Sequence, residues 1–142
     1  MSEYFQWDAS KYGINVPAMD QEHQVLIGHM NAVHSLHVAK ASRAETGAAL
    51  EKLVAYTRKH FADEEAYMSQ IGFPDLRLHA GIHKQLLGRI GEFGAEFTRS
   101  GALSEDFFVF LKMWLKAHIC GIDVKYVPHG KAAAVAATSP PK

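Results

Sequence analysis

Apolar side chains recur every three or four positions along four stretches of the chain, which is the spacing of one face of an α-helix. The first stretch carries Val25, Leu26, Met30, Val33 and Leu36. No stretch alternates between apolar and polar residues as a half-buried strand does. The pattern therefore predicts an all-α protein with helices over residues 20–40, 42–71, 75–99 and 104–127.

Residues that favour helix starts stand at the beginning of each predicted helix. Ser42 is followed three residues later by Glu45, which is the spacing of a capping box. Asp20, Asp75 and Ser104 can each serve as the N-cap of another helix. Because the connections between the helices are short, neighbouring helices should be antiparallel, and we expect an up-down-up-down four-helix bundle.

The segments outside these helices differ in composition. Residues 1–19 contain four aromatic side chains together with Gly13 and Pro17, which predicts a packed N-terminal arm rather than a helix. Residues 128–142 are rich in alanine and proline and are expected to form a loose C-terminal tail. We therefore divide the chain into a bundle with its arm, residues 1–127, and a tail, residues 128–142.

Charge and cysteine content narrow the classes of partner. Fifteen basic and fifteen acidic side chains cancel, which gives no electrostatic reason to expect nucleic acid or an anionic membrane surface as a partner. No apolar run is long enough for a membrane span, and the N-terminus lacks the layout of a signal peptide. The single cysteine, Cys120, is expected to be a small buried residue, and a cytoplasmic protein is the default expectation.

Histidine and acidic residues are concentrated in four motifs, "DQEH" (20–23), "HFADEE" (60–65), "HAGIH" (79–83) and "HICGID" (118–123). A helix rises about 1.5 Å per residue, so in an up-down-up-down bundle the histidines of all four motifs fall in one layer near one end. The candidate metal ligands are His23, His60, Glu64, His79, His83, His118 and Asp123.

Asp123 does not fit a regular helix. It lies five residues after His118, about 140° around an α-helix, so the two side chains would not share a face. Gly121 stands between them and permits the backbone to change its winding. We therefore predict non-α geometry within residues 119–123 that turns Asp123 inward.

The donor types favour a pair of metal ions. Imidazole and carboxylate together suit iron, zinc, copper or manganese. Two six-coordinate ions that share both acids and one bridging oxygen from solvent would be left with one vacant position, where a small molecule such as dioxygen can bind. Five neutral imidazoles stabilise the reduced pair better than a carboxylate-rich site does, which favours reversible ligand binding over oxidative chemistry.

In this order, the four motifs and the "WLKAHICGID" stretch that contains the last of them resemble the hemerythrins, and most closely the single-domain bacteriohemerythrins. The resemblance covers about residues 4–127 and implies a non-heme di-iron centre, bridged by an oxo or hydroxo group, that binds dioxygen reversibly. It implies that one iron is held by His79, His83 and His118, and that the other, which keeps the vacant position, is held by His23 and His60. Glu64 and Asp123 would bridge the irons. The family's ligand pocket would fall on Phe61, Trp114, Leu115 and Ile119.

The residues and the resemblance leave four functions open. The leading hypothesis is an oxygen carrier, store or local supplier that is not an enzyme and serves an unidentified acceptor protein that consumes oxygen. The second is a di-iron oxidase, peroxidase, or reductase of nitric oxide or nitrite, for which Tyr67 and Tyr126 are the nearest proton sources along the sequence. The third is an oxygen or redox sensor, although no second domain is expected after the bundle. Iron storage is a weaker fourth option.

Three polar side chains near the motifs are ambiguous. His34 returns to nearly the same helix face as His23, about 16 Å lower, and is expected to be hydrogen-bonded or exposed rather than a ligand. His129 follows the last helix and is expected in solvent. Glu65 is expected to face solvent or to contact a ligand from outside, since it lies about 100° around the helix from Glu64.

Overall fold

The structure is a computed structural model, and it describes residues 4–131. Within this range the chain forms helices and no strand. The helices are α1 (Ala9–Tyr12), α2 (Pro17–Val38), α3 (Arg43–Gln70), α4 (Leu76–Ser100) and α5 (Glu105–Gly121), followed by a 3₁₀ helix (Asp123–Tyr126). The prediction of an all-α four-helix bundle, formed by α2 to α5, is confirmed. None of the described helices is both long enough and apolar enough to cross a lipid bilayer.

The start of α2 differs from the prediction. The helix begins at Pro17, three residues before the expected cap, because the fixed φ of proline suits the first helical position and its missing N–H would be unpaired there anyway. Asp20 therefore lies inside the first turn and not at the N-cap. Its carboxylate accepts a hydrogen bond from the backbone N–H of Ile14 at 2.9 Å, which ties the arm to the helix.

The other helix starts are as predicted in position. The hydroxyl of Ser42 accepts from the N–H of Glu45 at 3.1 Å, and that of Ser104 accepts from the N–H of Phe107 at 3.3 Å. Asp75 occupies the N-cap of α4, but its side chain makes no capping bond. At the other end of α4, Gly101 adopts a left-handed φ of 78°, which glycine accommodates without strain.

The apolar faces of the four long helices meet in one continuous core. Leu26, Met30 and Val33 of α2 are fully buried, as their spacing predicts. Val25 is 39% exposed, contrary to the prediction. The reason is geometric, since adjacent helical residues are about 100° apart and Leu26 already occupies the inward direction.

The N-terminal arm packs on the bundle, as predicted, and bridges its first and last long helices. Phe5 is 1% exposed, and its backbone exchanges two hydrogen bonds with the Asn31 amide of α2, at 2.9 and 2.8 Å. The Tyr4 hydroxyl donates to the carbonyl of Phe108 in α5. The expectation of an arm without a helix was wrong for Ala9–Tyr12, where Asp8 caps a single short helix.

The chain continues helically over residues 127–131, beyond the 3₁₀ helix. The ring of His129 is half-buried and lies edge-on to Phe73 with centroids 5.1 Å apart, so it contacts the bundle instead of extending into solvent as predicted. The rest of the predicted tail, residues 132–142, lies outside the described residues.

Candidate metal centre

All seven predicted ligand side chains converge in the interior of the bundle, and none is more than 3% exposed. Each of the four long helices contributes at least one of them, and Asp123 follows α5. Their contributions are His23 from α2, His60 and Glu64 from α3, His79 and His83 from α4, and His118 from α5. The predicted common layer therefore exists, although its members are up to 100 residues apart in the chain.

The seven side chains form two overlapping groups that could each hold a metal ion. One contains Glu64, His79, His83, His118 and Asp123; the other contains His23, His60, Glu64 and Asp123. Within each group, one candidate ligand atom of every residue lies within 4.8 Å of those of the others. Since both carboxylates belong to both groups, the arrangement has the form of two neighbouring positions with shared acids, one with three imidazoles and one with two.

Short distances join the shared acids to the imidazoles. Glu64 Oε1 lies 2.9 Å from His83 Nε2 and 3.1 Å from His79 Nε2. Asp123 Oδ1 lies 3.0 Å from His118 Nε2, and Asp123 Oδ2 lies 3.1 Å from His23 Nε2. The two oxygens of Asp123 therefore face different groups, as a bridging carboxylate requires.

Asp123 reaches the centre because the helix changes its winding, as predicted. Regular α5 ends at Gly121, Ile122 forms a turn with φ −113° and ψ −55°, and a 3₁₀ helix begins at Asp123. The Asp123 side chain is fully buried as a result. Had the α-helix continued, the carboxylate would have pointed away from His118.

The spacing of the donor atoms fits ligands around a common ion. Two ligands at right angles on one ion, with bonds of about 2.1 Å, are about 3.0 Å apart. Nε2 of His118 lies 3.1 Å from Nε2 of both His79 and His83. Among the described residues, both oxygens of Asp123 and Nε2 of His23 lack a well-aligned hydrogen-bond partner, although Asp123 Oδ1 lies 3.0 Å from His118 Nε2 and Asp123 Oδ2 lies 3.1 Å from His23 Nε2. These atoms therefore face the interior of the cluster, and the donor set suits a non-heme pair of irons.

The electrostatics of the cluster favour ionised acids beside charged histidines when no metal is bound. Burial opposes ionisation of Glu64 and Asp123, but the close histidine rings outweigh it and hold the pKa of both below the usual range. Burial also opposes protonation of His118, yet Asp123 and Glu64 raise the pKa of His118 to about 9. The pKa of His79 is raised in the same way. The two carboxylates thus create a strongly negative interior that attracts either protons or metal cations.

Two further acids contact the cluster from outside. The carboxylate of Glu22 lies 2.8 Å from Nδ1 of His60, and that of Glu65 lies 3.0 Å from Nδ1 of His83. Of the two outcomes expected for Glu65, contact with a candidate ligand is the one observed. Glu22 was not singled out in the sequence, where its position beside His23 in "DQEH" was the only available signal.

Tyr126 also reaches the cluster. Its hydroxyl donates to Glu64 Oε2 at 2.9 Å, and its side chain is fully buried. Burial, together with the charges of Glu64 and Asp123, raises the pKa of Tyr126 far above its usual range. The phenol therefore keeps its proton and acts as a fixed hydrogen-bond donor to one of the shared acids.

We expect Tyr126→Phe to lower the free energy of unfolding of the metal-free protein by about 2 kcal/mol, because a buried charged acceptor loses its donor. Urea unfolding followed by circular dichroism measures this change. Tyr67→Phe is the matched control, since the Tyr67 ring packs 5.5 Å from that of Tyr126 but is only half-buried. Its effect should remain below about 0.5 kcal/mol. Equal losses in both variants would contradict a specific bond to Glu64.

The four predicted pocket residues are all buried beside the cluster or on the inner face of α5. The Phe61 ring stacks on His83 with centroids 3.8 Å apart, and Trp114 lies 6.3 Å from the His118 ring. Leu115 and Ile119 are 1% and 0% exposed. These contacts place Phe61 and Trp114 against the group with three histidines, while Phe61 also lies 5.9 Å from His60 of the other group. Their role as a ligand pocket stays a prediction.

The structure partly agrees with the prediction for His34 and contradicts the prediction for Cys120. His34 belongs to neither group, as expected, but its ring is half-buried and stacks on Tyr4 with centroids 4.5 Å apart, which the prediction of a hydrogen-bonded or exposed ring did not include. Cys120 is exposed, contrary to the prediction of a buried thiol. It lies two residues after His118, which is about 200° around the helix, so the inward direction of His118 turns Cys120 outward.

The geometry agrees with comparisons to known proteins. The family model "Hemerythrin HHE cation binding domain" matches residues 15–129. A bacteriohemerythrin of Stenotrophomonas maltophilia is 34% identical over 121 residues, covering 84% of this chain and 77% of that protein. A myohemerythrin of Riftia pachyptila is 35% identical over 120 residues, covering 84% and 88%. A crystal structure of wild-type hemerythrin superposes with a TM-score of 0.80 at 30% identity, covering 87% and 95%. The chain therefore belongs to the hemerythrin family.

Proposed function

We propose that the chain binds dioxygen reversibly at a non-heme pair of iron ions, for oxygen transport, storage or local delivery, and that it is not an enzyme. In this proposal His79, His83 and His118 hold one iron, His23 and His60 hold the other, and both acids bridge them. The observation that carries the proposal is the pair of overlapping groups that share Glu64 and Asp123. The unequal number of imidazoles leaves the two-histidine position one ligand short.

The side chains around the centre suit reversible binding. An iron pair held by these residues would supply the redox chemistry for reversible binding of dioxygen. The chain itself contributes apolar surroundings that exclude water. These are the buried side chains of Phe61, Trp114, Leu115 and Ile119. Exclusion of water and free protons slows the loss of a reduced oxygen species, after which the centre would remain oxidised. The family name of the relatives supports the same function.

A redox enzyme is the second candidate, because Tyr126 donates to a shared acid and could supply protons during turnover. The proton of Tyr126 is held by Glu64 in a fully buried position, which makes the phenol better suited to fixing the carboxylate than to transferring a proton. Turnover of hydrogen peroxide, nitrite or nitric oxide that falls at least tenfold in Tyr126→Phe would favour the enzyme. A sensor function, a cytoplasmic location and an acceptor protein stay predictions.

Absorption spectroscopy of the iron-loaded protein tests the proposal. After anaerobic reduction, admission of air should produce a visible band that disappears under argon and returns over repeated cycles. The zinc-loaded protein is the control and should remain colourless, since zinc has no redox chemistry. A reduced protein that carries two irons per chain but stays colourless in air, or that oxidises irreversibly on first exposure, would overturn the proposal.

A further inference from the structure

In two of the five candidate histidine ligands, the ring nitrogen that faces away from the cluster contacts a carboxylate. Glu22 Oε1 lies 2.8 Å from Nδ1 of His60, whose Nε2 faces the cluster 3.8 Å from Glu64 Oε2. Glu65 Oε2 lies 3.0 Å from Nδ1 of His83, whose Nε2 faces Glu64 Oε1 at 2.9 Å. Each of the two groups therefore contains one histidine with an outer carboxylate.

The chemical effect of such a contact is to choose the tautomer. A neutral imidazole carries one N–H, and a carboxylate that accepts from Nδ1 keeps the proton there and leaves the Nε2 lone pair free for a metal. The contact also fixes the orientation of the ring. By contrast, Nδ1 of His23 and of His79 has no hydrogen-bond partner among residues 4–131.

The two outer acids differ in how firmly they are held and in how much their group depends on the histidine that they contact. The side chain of Glu22 is 15% exposed, and its second oxygen lies 3.7 Å from Lys59 Nζ, so two partners hold it. The side chain of Glu65 is 36% exposed. In addition, His60 is one of only two imidazoles in its group, whereas His83 is one of three.

On this basis we propose that Glu22 is a positioning residue that makes the two-histidine position competent to bind metal, by holding His60 with Nε2 turned to the centre. The inference rests on the ligand roles of the proposed function. Loss of Glu22 should empty the two-histidine position selectively. Loss of Glu65 should have a smaller effect, because His79 and His118 still hold the other ion.

Zinc titration of the full chain in competition with a chromophoric chelator tests this inference. In Glu22→Ala, the second zinc equivalent should bind 10–100-fold more weakly while the first is nearly unchanged. Glu22→Gln should recover most of the affinity, because the amide oxygen accepts the same hydrogen bond. Glu65→Ala should weaken binding less than Glu22→Ala, and Glu51→Ala, an exposed position on α3, should have no effect.

A second measurement separates positioning from a general loss of structure. Long-range ¹H–¹⁵N spectra of the zinc-loaded protein should report an Nδ1–H tautomer for His60 in the parent chain and in Glu22→Gln. In Glu22→Ala the His60 signal should shift toward a mixture of tautomers, with helix content unchanged by circular dichroism. Glu22→Ser serves as a second truncation if the alanine variant does not fold.

Three results would overturn the inference: equal weakening of both zinc equivalents, an unchanged His60 tautomer in the truncated variants, or failure of Glu22→Gln to recover binding. These results are independent of oxygen. If the iron protein shows no reversible band while Glu22→Ala still loses its second zinc selectively, the proposed function fails and the inference stands. The reverse combination would remove the inference alone.

Discussion

Replacing Glu64 by glutamine is expected to reduce the metal content of the chain from two ions to at most one. Glu64 belongs to both groups, and a neutral amide cannot supply the negative charge and two oxygen ligands of a bridging carboxylate. The three-histidine position retains His79, His83 and His118 together with Asp123, so it can still hold one ion. The other position retains only His23, His60 and Asp123 and should empty. Metal analysis after gel filtration measures the stoichiometry.

The matched control for this variant is Glu51→Gln, which makes the same chemical change at an exposed position of the same helix. It should retain two ions per chain. The visible band in air should also disappear in Glu64→Gln and remain in Glu51→Gln, because a single ion cannot perform the two-electron chemistry of a pair. Retention of two ions by Glu64→Gln would contradict the shared role of this carboxylate.

In the metal-free protein, the free energy of unfolding is expected to fall by about 3 kcal/mol as the pH rises from 6.5 to 9. Asp123 and Glu64 raise the pKa of His118 above its unfolded value, so the folded chain keeps a proton that the unfolded chain releases. This stabilisation is complete below pH 6.5 and is lost as the pH rises through 9. Urea unfolding in the presence of a chelator, repeated across this pH range, measures how the free energy of unfolding depends on pH.

At acidic pH, the free energy of unfolding of the metal-free protein is expected to fall for a different reason, the protonation of the buried acids. Because the pKa values of Glu64 and Asp123 are lowered in the folded state, their contribution is present above the ordinary carboxyl range and is lost as the pH falls. The metal-free chain should therefore be most stable in mildly acidic solution. The metal-loaded chain is the control and should become more stable with rising pH, since metal binding requires neutral imidazoles. A metal-free protein with flat stability from pH 6.5 to 9 would contradict the assigned charges.

The bundle and the convergence of the seven side chains could be predicted from the sequence because helical geometry is regular. Helical periodicity fixes the rotation of each residue, and the rise per residue fixes its height, so residues on different helices can be compared in one layer. Even the irregular position of Asp123 followed from this geometry, because a spacing of five residues is incompatible with one face. The winding change after Gly121 confirms that prediction.

The outcomes that differed from the sequence predictions depend on contacts that periodicity does not encode. Asp20 has the chemistry of an N-cap, but Pro17 starts the helix earlier and Asp20 binds the arm instead. Glu22 contacts a histidine 38 residues away on another helix, and only its place beside His23 distinguishes it in the sequence from a solvated acid. The outward position of Cys120 was accessible from the rotation of His118, but residue type favoured burial.

The position of Asp123 in the chain determines when, during synthesis, the candidate metal centre can be completed. Both groups include this residue, which lies beyond the last long helix. Under the proposed ligand assignment, a nascent chain emerging from the ribosome has no finished binding position until nearly all of the bundle has been translated. Occupation of both positions should accordingly be a late event, because neither position has both shared acids before Asp123 has emerged.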